Sequence, residues 1–242
     1  MSAGERDVGY ETLERISEAL GRYNVWMYEQ IASAVGEEVL EVGSGIGNLS
    51  TFLQERQRVC LTDVSPSYLG ILRARFGHLH QVSVHPWDLN NAPPEAIRAR
   101  SFDTLICLNV LEHIEDDRAA LKRMRTLLKP GGRLALLVPA HAWLYNGIDK
   151  GLEHYRRYSK LGLNRMLVEC GFRSRKTWYF NALGALGWFV NGTLLRKTLL
   201  PTGQMKAFDL LVPLLKLERW IPLPFGISVI AIAEALPESE DT

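Results

Sequence analysis

One twelve-residue stretch constrains this chain more than any other: Val39-Leu40-Glu41-Val42 running straight into Gly43-Ser44-Gly45-Ile46-Gly47-Asn48-Leu49-Ser50. The first four residues read as a short buried strand. The glycines at alternate positions form a loop whose backbone can approach a ligand closely. A helix is expected next, with Leu49, Phe52 and Leu53 facing inward, so that its first N–H groups point at that ligand. A strand, loop and helix of this kind needs further strands beside it and helices over both faces. The sequence supplies them in alternation. Residues 59–62 read as a second strand, and Ser65-Pro66 opens a helix as N-cap and first-turn proline. Val82-Ser83-Val84 is a third strand and 102–108 a fourth. A helix over 117–128 stops at Lys129-Pro130-Gly131-Gly132, and 133–138 is a fifth strand. The pattern is that of a parallel, doubly wound α/β sheet.

The remaining segments fit around that sheet. Leu13, Ile16 and Leu20 recur at helical spacing after Thr12, and a second helical stretch covers about 25–35 before Gly36. After the fifth strand comes a polar, aromatic loop at 140–158. A helix capped by Ser159 and stopped by Gly171 leads to a sixth strand at 173–180, and an apolar run at 226–235 is the last strand. Residues 182–225 are far longer than a strand connection needs. We therefore expect one domain over 1–242: a helical N-terminal cap (1–36), a ligand-binding core (37–139), a substrate loop with helix and strand six (140–181), a hydrophobic insertion (182–225) and the last strand (226–235). The 242-residue length suits a single domain.

Charge and cysteine usage narrow the class. Lys and Arg number 28 against 27 Asp and Glu, a net charge of +1, which argues against nucleic-acid binding through a broad basic surface. Cys60, Cys107 and Cys170 lie far apart with no metal spacing, and read as buried thiols in a reducing compartment. The first twenty residues carry no apolar signal segment and no apolar run reaches 18 residues, so the chain reads as cytoplasmic without a simple spanning helix.

The acid before the glycine loop points to the ligand. Glu41 would repel a pyrophosphate, but it attracts an ammonium or a sulfonium, as in S-adenosylmethionine. Asp63, ending the second strand, is placed to accept ribose hydroxyls. Asp88, after the third strand, is placed to accept from an adenine amino group while Trp87 or Leu89 packs on the ring. On these residues, and on VLEVGSGIG, CLTDVSPSYL, FDTLICLNVLEHIEDD and LKPGGRLALLVP, the chain resembles the class I S-adenosylmethionine-dependent methyltransferases. The resemblance implies a Rossmann-like sheet of seven strands with the last antiparallel and helices on both faces. The hydrophobic helical insertion precedes that last strand. It also implies S-adenosylmethionine contact by Glu41, Gly43, Ser44, Gly45, Gly47, Asp63, Val64, Asp88, Leu89 and Asn109, with Tyr23 or Trp26 folding over the cofactor.

Methyl transfer to a hydroxyl needs an aligned nucleophile and a base. Two clusters lie beyond strands four and five. In Asn109-Val110-Leu111-Glu112-His113, polyprenyl-quinone O-methyltransferases have a similar stretch with two carboxylates and a histidine that bind a divalent ion. Here Asn109 replaces the first carboxylate, and Glu112 and His113 read as local structure with no metal. The second cluster is WLYNGIDKGLEHYRRYS. Its catalytic candidates are His154 as base with Asp149, Tyr158 and Tyr145. Arg156, Arg157 and Trp143 are the substrate-binding candidates. If that stretch is helical, His154 and Tyr158 share a face. The segment, together with YFNALGALGWFVNG and PFGISVIAIAE, resembles a bacterial subset with an Asp…His-x-Arg-Arg-Tyr pattern, often found beside glycosyltransferases of polyprenyl-phosphate sugar pathways. The expected acceptor is a small molecule, a glycan or a lipid-linked group, methylated on oxygen. A non-methylating enzyme such as a cyclase, or a binding module without turnover, are the rivals.

The insertion is more than half apolar, with five basic and two acidic residues. Lys206, Asp209, Lys216 and Arg219 fall on one helical stripe that Pro213 should kink. A lid, a peripheral membrane contact and a homodimer interface are the candidate roles.

Overall fold

A computed structural model describes residues 20–199, 201–220 and 223–237 of the chain. The N-terminal helix expected around Leu13 and Ile16 lies outside them. Among the described residues the strands are β1 (Glu38–Val42), β2 (Arg58–Asp63), β3 (Val82–Pro86), β4 (Phe102–Leu108), β5 (Leu128–Pro139), β6 (Phe172–Phe180) and β7 (Ser228–Ala235). They form one seven-stranded sheet in the order β3-β2-β1-β4-β5-β7-β6. β1 to β5 run parallel, and β7 is antiparallel to both β5 and β6. The strand order reverses between β1 and β4, so a crevice opens beyond their carboxyl ends.

The helices are α1 (Gly21–Ile31), α2 (Pro66–Phe76), α3 (Glu95–Arg98), α4 (Asp117–Arg125), α5 (Gly147–Gly151), α6 (Lys160–Glu169), α7 (Ala182–Trp188) and α8 (Thr202–Leu215). Strand periodicity divides the apolar residues between two cores. Leu40, Val42, Leu105, Cys107, Leu134 and Leu136 pack with α4 and α6 through Leu121, Met124, Leu163 and Leu167. Val39, Leu61, Ile106, Ala135 and Leu137 pack on the other face with α1, α2 and α8 through Trp26, Ile31, Leu72 and Val212. The three cysteines are free and buried.

Three local expectations need correction. After the glycine loop the chain makes turns and a 3-10 segment, Ser50–Leu53, instead of an α-helix. Gly43, Gly45 and Gly47 all take positive φ, a conformation outside the right-handed helix. The Lys-Pro-Gly-Gly turn lies inside β5, where the β4 pairing shifts register between Phe102 and Thr104. Residues 152–158 are not helical: Glu153 is left-handed at φ 58° and turns His154 back toward Asp149. Pro213, expected to kink a helix here, sits within α8.

α1 also behaves differently from the expectation. Trp26 is buried against Phe180, with ring centroids 4.5 Å apart, and Tyr23 packs on Phe180 and Phe208. Both residues clamp the insertion to the sheet instead of folding over the glycine loop. No helix among the described residues is long and apolar enough to cross a membrane.

Candidate functional site

The glycine loop is fixed by contacts that only glycine permits. Gly43 has φ +68°, and a Cβ there would lie 2.4 Å from Val110 Cγ2. Gly47 has φ +85°, and a Cβ there would lie 2.4 Å from the Phe76 ring. Both positions need the left-handed region and a bare Cα. Ser44 N donates to the Thr62 carbonyl at 2.8 Å and Gly45 N to Asp63 Oδ2 at 2.8 Å, which tie the loop to β2. The contact with Val110 ties it to the segment after β4.

Glu41 is buried, and its carboxylate accepts from Ser50 Oγ. Burial pushes its pKa up to about 7 against the pull of the Ser50 and Ser44 hydroxyls. No basic side chain is among the groups acting on it. A buried carboxylate left without a positive neighbour fits a cationic ligand, because an ammonium or sulfonium supplies the missing counter-charge. The chemistry of the donor set therefore suits S-adenosylmethionine.

The nucleoside end lies across β2 and β3. Asp63 is buried and accepts from Gly45 N through one oxygen and Ser65 N through the other. Burial raises its pKa against those bonds. The carboxylate thus shapes the loop as well as facing the crevice, a role the spacing alone did not reveal. Val64 is exposed, and with Pro86, Trp87, Asp88, Asn91, Ala92 and Pro94 it lines a cavity of about 270 Å³. Asp88 is half-buried and accepts from Asn90 N, Asn90 Nδ2 and Asn91 Nδ2. Leu89 departs from expectation. Its side chain is buried in the α4–α6 core, so it can offer a ring ligand only backbone. Trp87 joins the same core but keeps an edge in the cavity, its Nε1 donating to the Asn91 carbonyl. Asn109 follows β4 in the left-handed region at φ 54°, exposed and held by its N–H to the Leu137 carbonyl.

The second cluster is organised around Asp149, which is fully buried. Its Oδ1 takes Arg157 Nε at 2.7 Å and His154 Nδ1 at 3.0 Å. Its Oδ2 takes Asn146 N at 3.0 Å and Trp188 Nε1 at 3.2 Å. Burial lifts the Asp149 pKa, but His154 and Arg157 outweigh it and the net shift is downward. His154 is thereby held by one ring nitrogen, with its side chain 8% exposed and its ring 4.8 Å from that of His113. Trp188 comes from the insertion, so the insertion completes this site.

Three residues predicted for catalysis or substrate contact take other roles. Tyr158 bridges to Ala140 and its hydroxyl donates to Asp117 Oδ2 at 3.0 Å, while burial and that acid keep its phenol protonated. Arg157 is 1% exposed, bonded to Asp149 and the Ala140 carbonyl and stacked under Trp188, so it anchors the loop instead of meeting a substrate. Tyr145 donates to the His154 carbonyl at 2.8 Å and positions that turn. Arg156 pairs with Asp117 and the Glu115 carbonyl. Trp143 is 62% exposed and meets Phe189 and His141.

Glu112 is buried beside the histidines, with Oε2 lacking a hydrogen-bond partner and a pKa that burial pushes up to about 8. Burial and His154 push His113 down to about 4, leaving a neutral imidazole. Glu112, His113 and His154 each present a ligand atom within 4.8 Å of the others, a set that could hold a divalent ion. His141 is a residue the sequence did not single out. It follows β5 in the left-handed region at φ 62°, stacks on Tyr179 at 4.5 Å and leaves Nε2 without a partner.

The comparisons with known proteins agree with this geometry. Residues 40–134, less than half of the chain, match the family model described as a methyltransferase domain. The O-methyltransferase resE of Aspergillus sclerotiorum is 29% identical over 71% of this chain and 69% of its own. A ubiquinone biosynthesis O-methyltransferase of Xanthomonas euvesicatoria is 30% identical over 52% of this chain, which spans only 57% of that relative. The S-adenosylmethionine-dependent methyltransferase of Mesorhizobium loti shares the fold with a TM-score of 0.61 at 14% identity, over 90% of this chain and 99% of that one. The cyclase SpnF shares it with a TM-score of 0.58 at 17% identity, over 89% of this chain and 80% of that one. Residues 40–134 thus resemble a methyltransferase domain, the sheet is the fold of solved S-adenosylmethionine-dependent methyltransferases, and the glycine loop closed over a buried acid that lacks a cation suits S-adenosylmethionine as a ligand.

Proposed function

We propose that the protein methylates an oxygen of a small-molecule or lipid-linked acceptor, with His154 as the base. The observation that carries this reading is the pair formed by buried Asp149 and His154 Nδ1 at 3.0 Å. It is a base oriented by an acid, beyond the carboxyl ends of β4 and β5. The relatives named as O-methyltransferases support oxygen as the acceptor atom. The bound cofactor supplies a methyl group on a positively charged sulfur. Glu41 holds that end of the ligand by charge, and the Asp63 and Asp88 side hold the nucleoside. Asp149 fixes the imidazole tautomer and stabilises the imidazolium that forms when His154 takes the hydroxyl proton. Arg157 keeps Asp149 ionised. Trp143, Phe189, His141 and Tyr179 offer an aromatic surface for the acceptor. The domain division follows: 37–139 serves the cofactor, while 140–181 and the start of 182–225 serve the acceptor.

Calorimetry and mass spectrometry test this together. Wild type and His154→Ala should bind S-adenosylmethionine equally. The variant should methylate a panel of phenolic and lipid-linked acceptors about 10²–10⁴-fold more slowly. Full turnover by His154→Ala would remove it as the base. A product lacking the added CH2 would point to a cyclase-type reaction.

A further inference from the structure

The insertion turns its leucines outward. On α8, Leu210, Leu214 and Leu217 of the following 3-10 segment (Lys216–Trp220) lie one above another at i, i+4 and i+7, exposed by 66%, 65% and 58%. Leu211, Leu186, Leu194, Leu195 and Leu199 are further exposed leucines of the insertion. The opposite side of α8 is already satisfied: Val212 is buried, and Phe208 packs with the core under β6.

Charge contributed by the insertion itself is one-sided, and Lys216 is already paired with Glu29 of α1 at 2.6 Å. Both acids of the insertion face inward, Asp209 accepting from Tyr23 N at 2.8 Å and Glu218 from Asn181 N at 2.7 Å and Ala182 N at 3.1 Å. Arg196 and Lys206 are exposed. A second copy of the chain meeting this face across a two-fold axis would set these cations against one another. An anionic lipid surface meets both the apolar stripe and the cations. α8 has 14 residues, about 21 Å of helix, so it can lie on a bilayer but not cross one.

We propose that this face is a monotopic seat on anionic membranes, with the leucine stripe of α8 in the headgroup boundary and Arg196 and Lys206 on lipid phosphates. The seat adjoins the acceptor site. Trp188 donates to Asp149, Asn146 Nδ2 donates to Thr193 Oγ1 at 3.3 Å, and Gly151 lies against the Thr198 carbonyl. An acceptor with a hydrocarbon tail would reach His154 from the bilayer side.

Co-sedimentation with vesicles tests the seat without cofactor or acceptor, so its outcome is separate from that of the methyltransferase reading. Wild type should pellet with vesicles of phosphatidylcholine and phosphatidylglycerol in equal parts, and less with phosphatidylcholine alone. Leu210→Glu/Leu214→Glu should bind about tenfold or more weakly while keeping the wild-type melting temperature, because both side chains are exposed. Arg196→Glu/Lys206→Glu should lose the preference for phosphatidylglycerol. Wild type left in the supernatant, or leucine variants that bind as wild type, would overturn the proposal. So would a wild-type dimer in sedimentation velocity that the leucine variant dissociates.

Discussion

At Glu41 two requirements oppose each other, since the fold buries a carboxylate that the proposed cationic ligand would need charged. Its ordinary pKa of 4.5 rises to about 7 in the folded chain. The folded state therefore holds the proton more tightly than the unfolded state between those values, and stability without cofactor falls as pH rises through that window. Glu41→Gln should stabilise the cofactor-free protein at pH 8 by up to about 3 kcal/mol in denaturant melts. A cationic ligand binds the ionised form, so wild-type affinity for S-adenosylmethionine should drop about tenfold from pH 8 to pH 6. The Gln variant should bind weakly at both, by calorimetry. Gly43 sets the second residue-scale constraint. Gly43→Ala meets Val110 at a positive φ and should cost about 1–3 kcal/mol in melts along with most cofactor affinity. Tyr158→Phe removes a bond to Asp117 that Arg156 still partners, so about 1 kcal/mol of stability should be lost with turnover unchanged.

Among the elements, the insertion is joined to the sheet by polar bonds at its ends. Asn181 begins α7 in the left-handed region, its side chain caps Gly184 N at 2.7 Å, and the Glu218 carboxylate takes the two N–H groups at the helix start. Glu218→Ala leaves those donors unpaired in a partly buried place, and hydrogen exchange across 182–195 should accelerate by about tenfold while β1 and β4 stay protected. The central strands were readable because both of their faces are largely buried and apolar and turn residues bound them; β4 coincides with residues 102–108 as expected. The segment after the glycine loop was not. Its inward Leu53 is also what a helix would show, whereas the structure has turns and a 3-10 segment after three glycines of positive φ. The helical pairing of His154 with Tyr158 failed for a similar reason, since one left-handed residue, Glu153, reverses the chain.

In the whole molecule, the proposed cofactor and acceptor sites draw on segments distant in sequence that the β1–β4 reversal brings to one edge. A ligand that binds only the folded chain adds to its stability. S-adenosylmethionine at one hundred times its dissociation constant should contribute about 2.7 kcal/mol and raise the melting temperature by several degrees. A scan unmoved by the cofactor would count against the glycine loop as its site. The sequence by itself determined the α/β sheet, the glycine loop and the acids that end its strands, because strand periodicity, glycine spacing and strand ends are local properties. Tertiary structure alone decided which polar residues stay available. Asp149 draws Arg157 into the interior and leaves His154 oriented, Asp117 takes Tyr158, and the insertion's two acids turn inward while its leucines turn out. Partner choice among buried charges, and the side of a two-faced apolar helix that meets the core, depend on what the rest of the fold places opposite them.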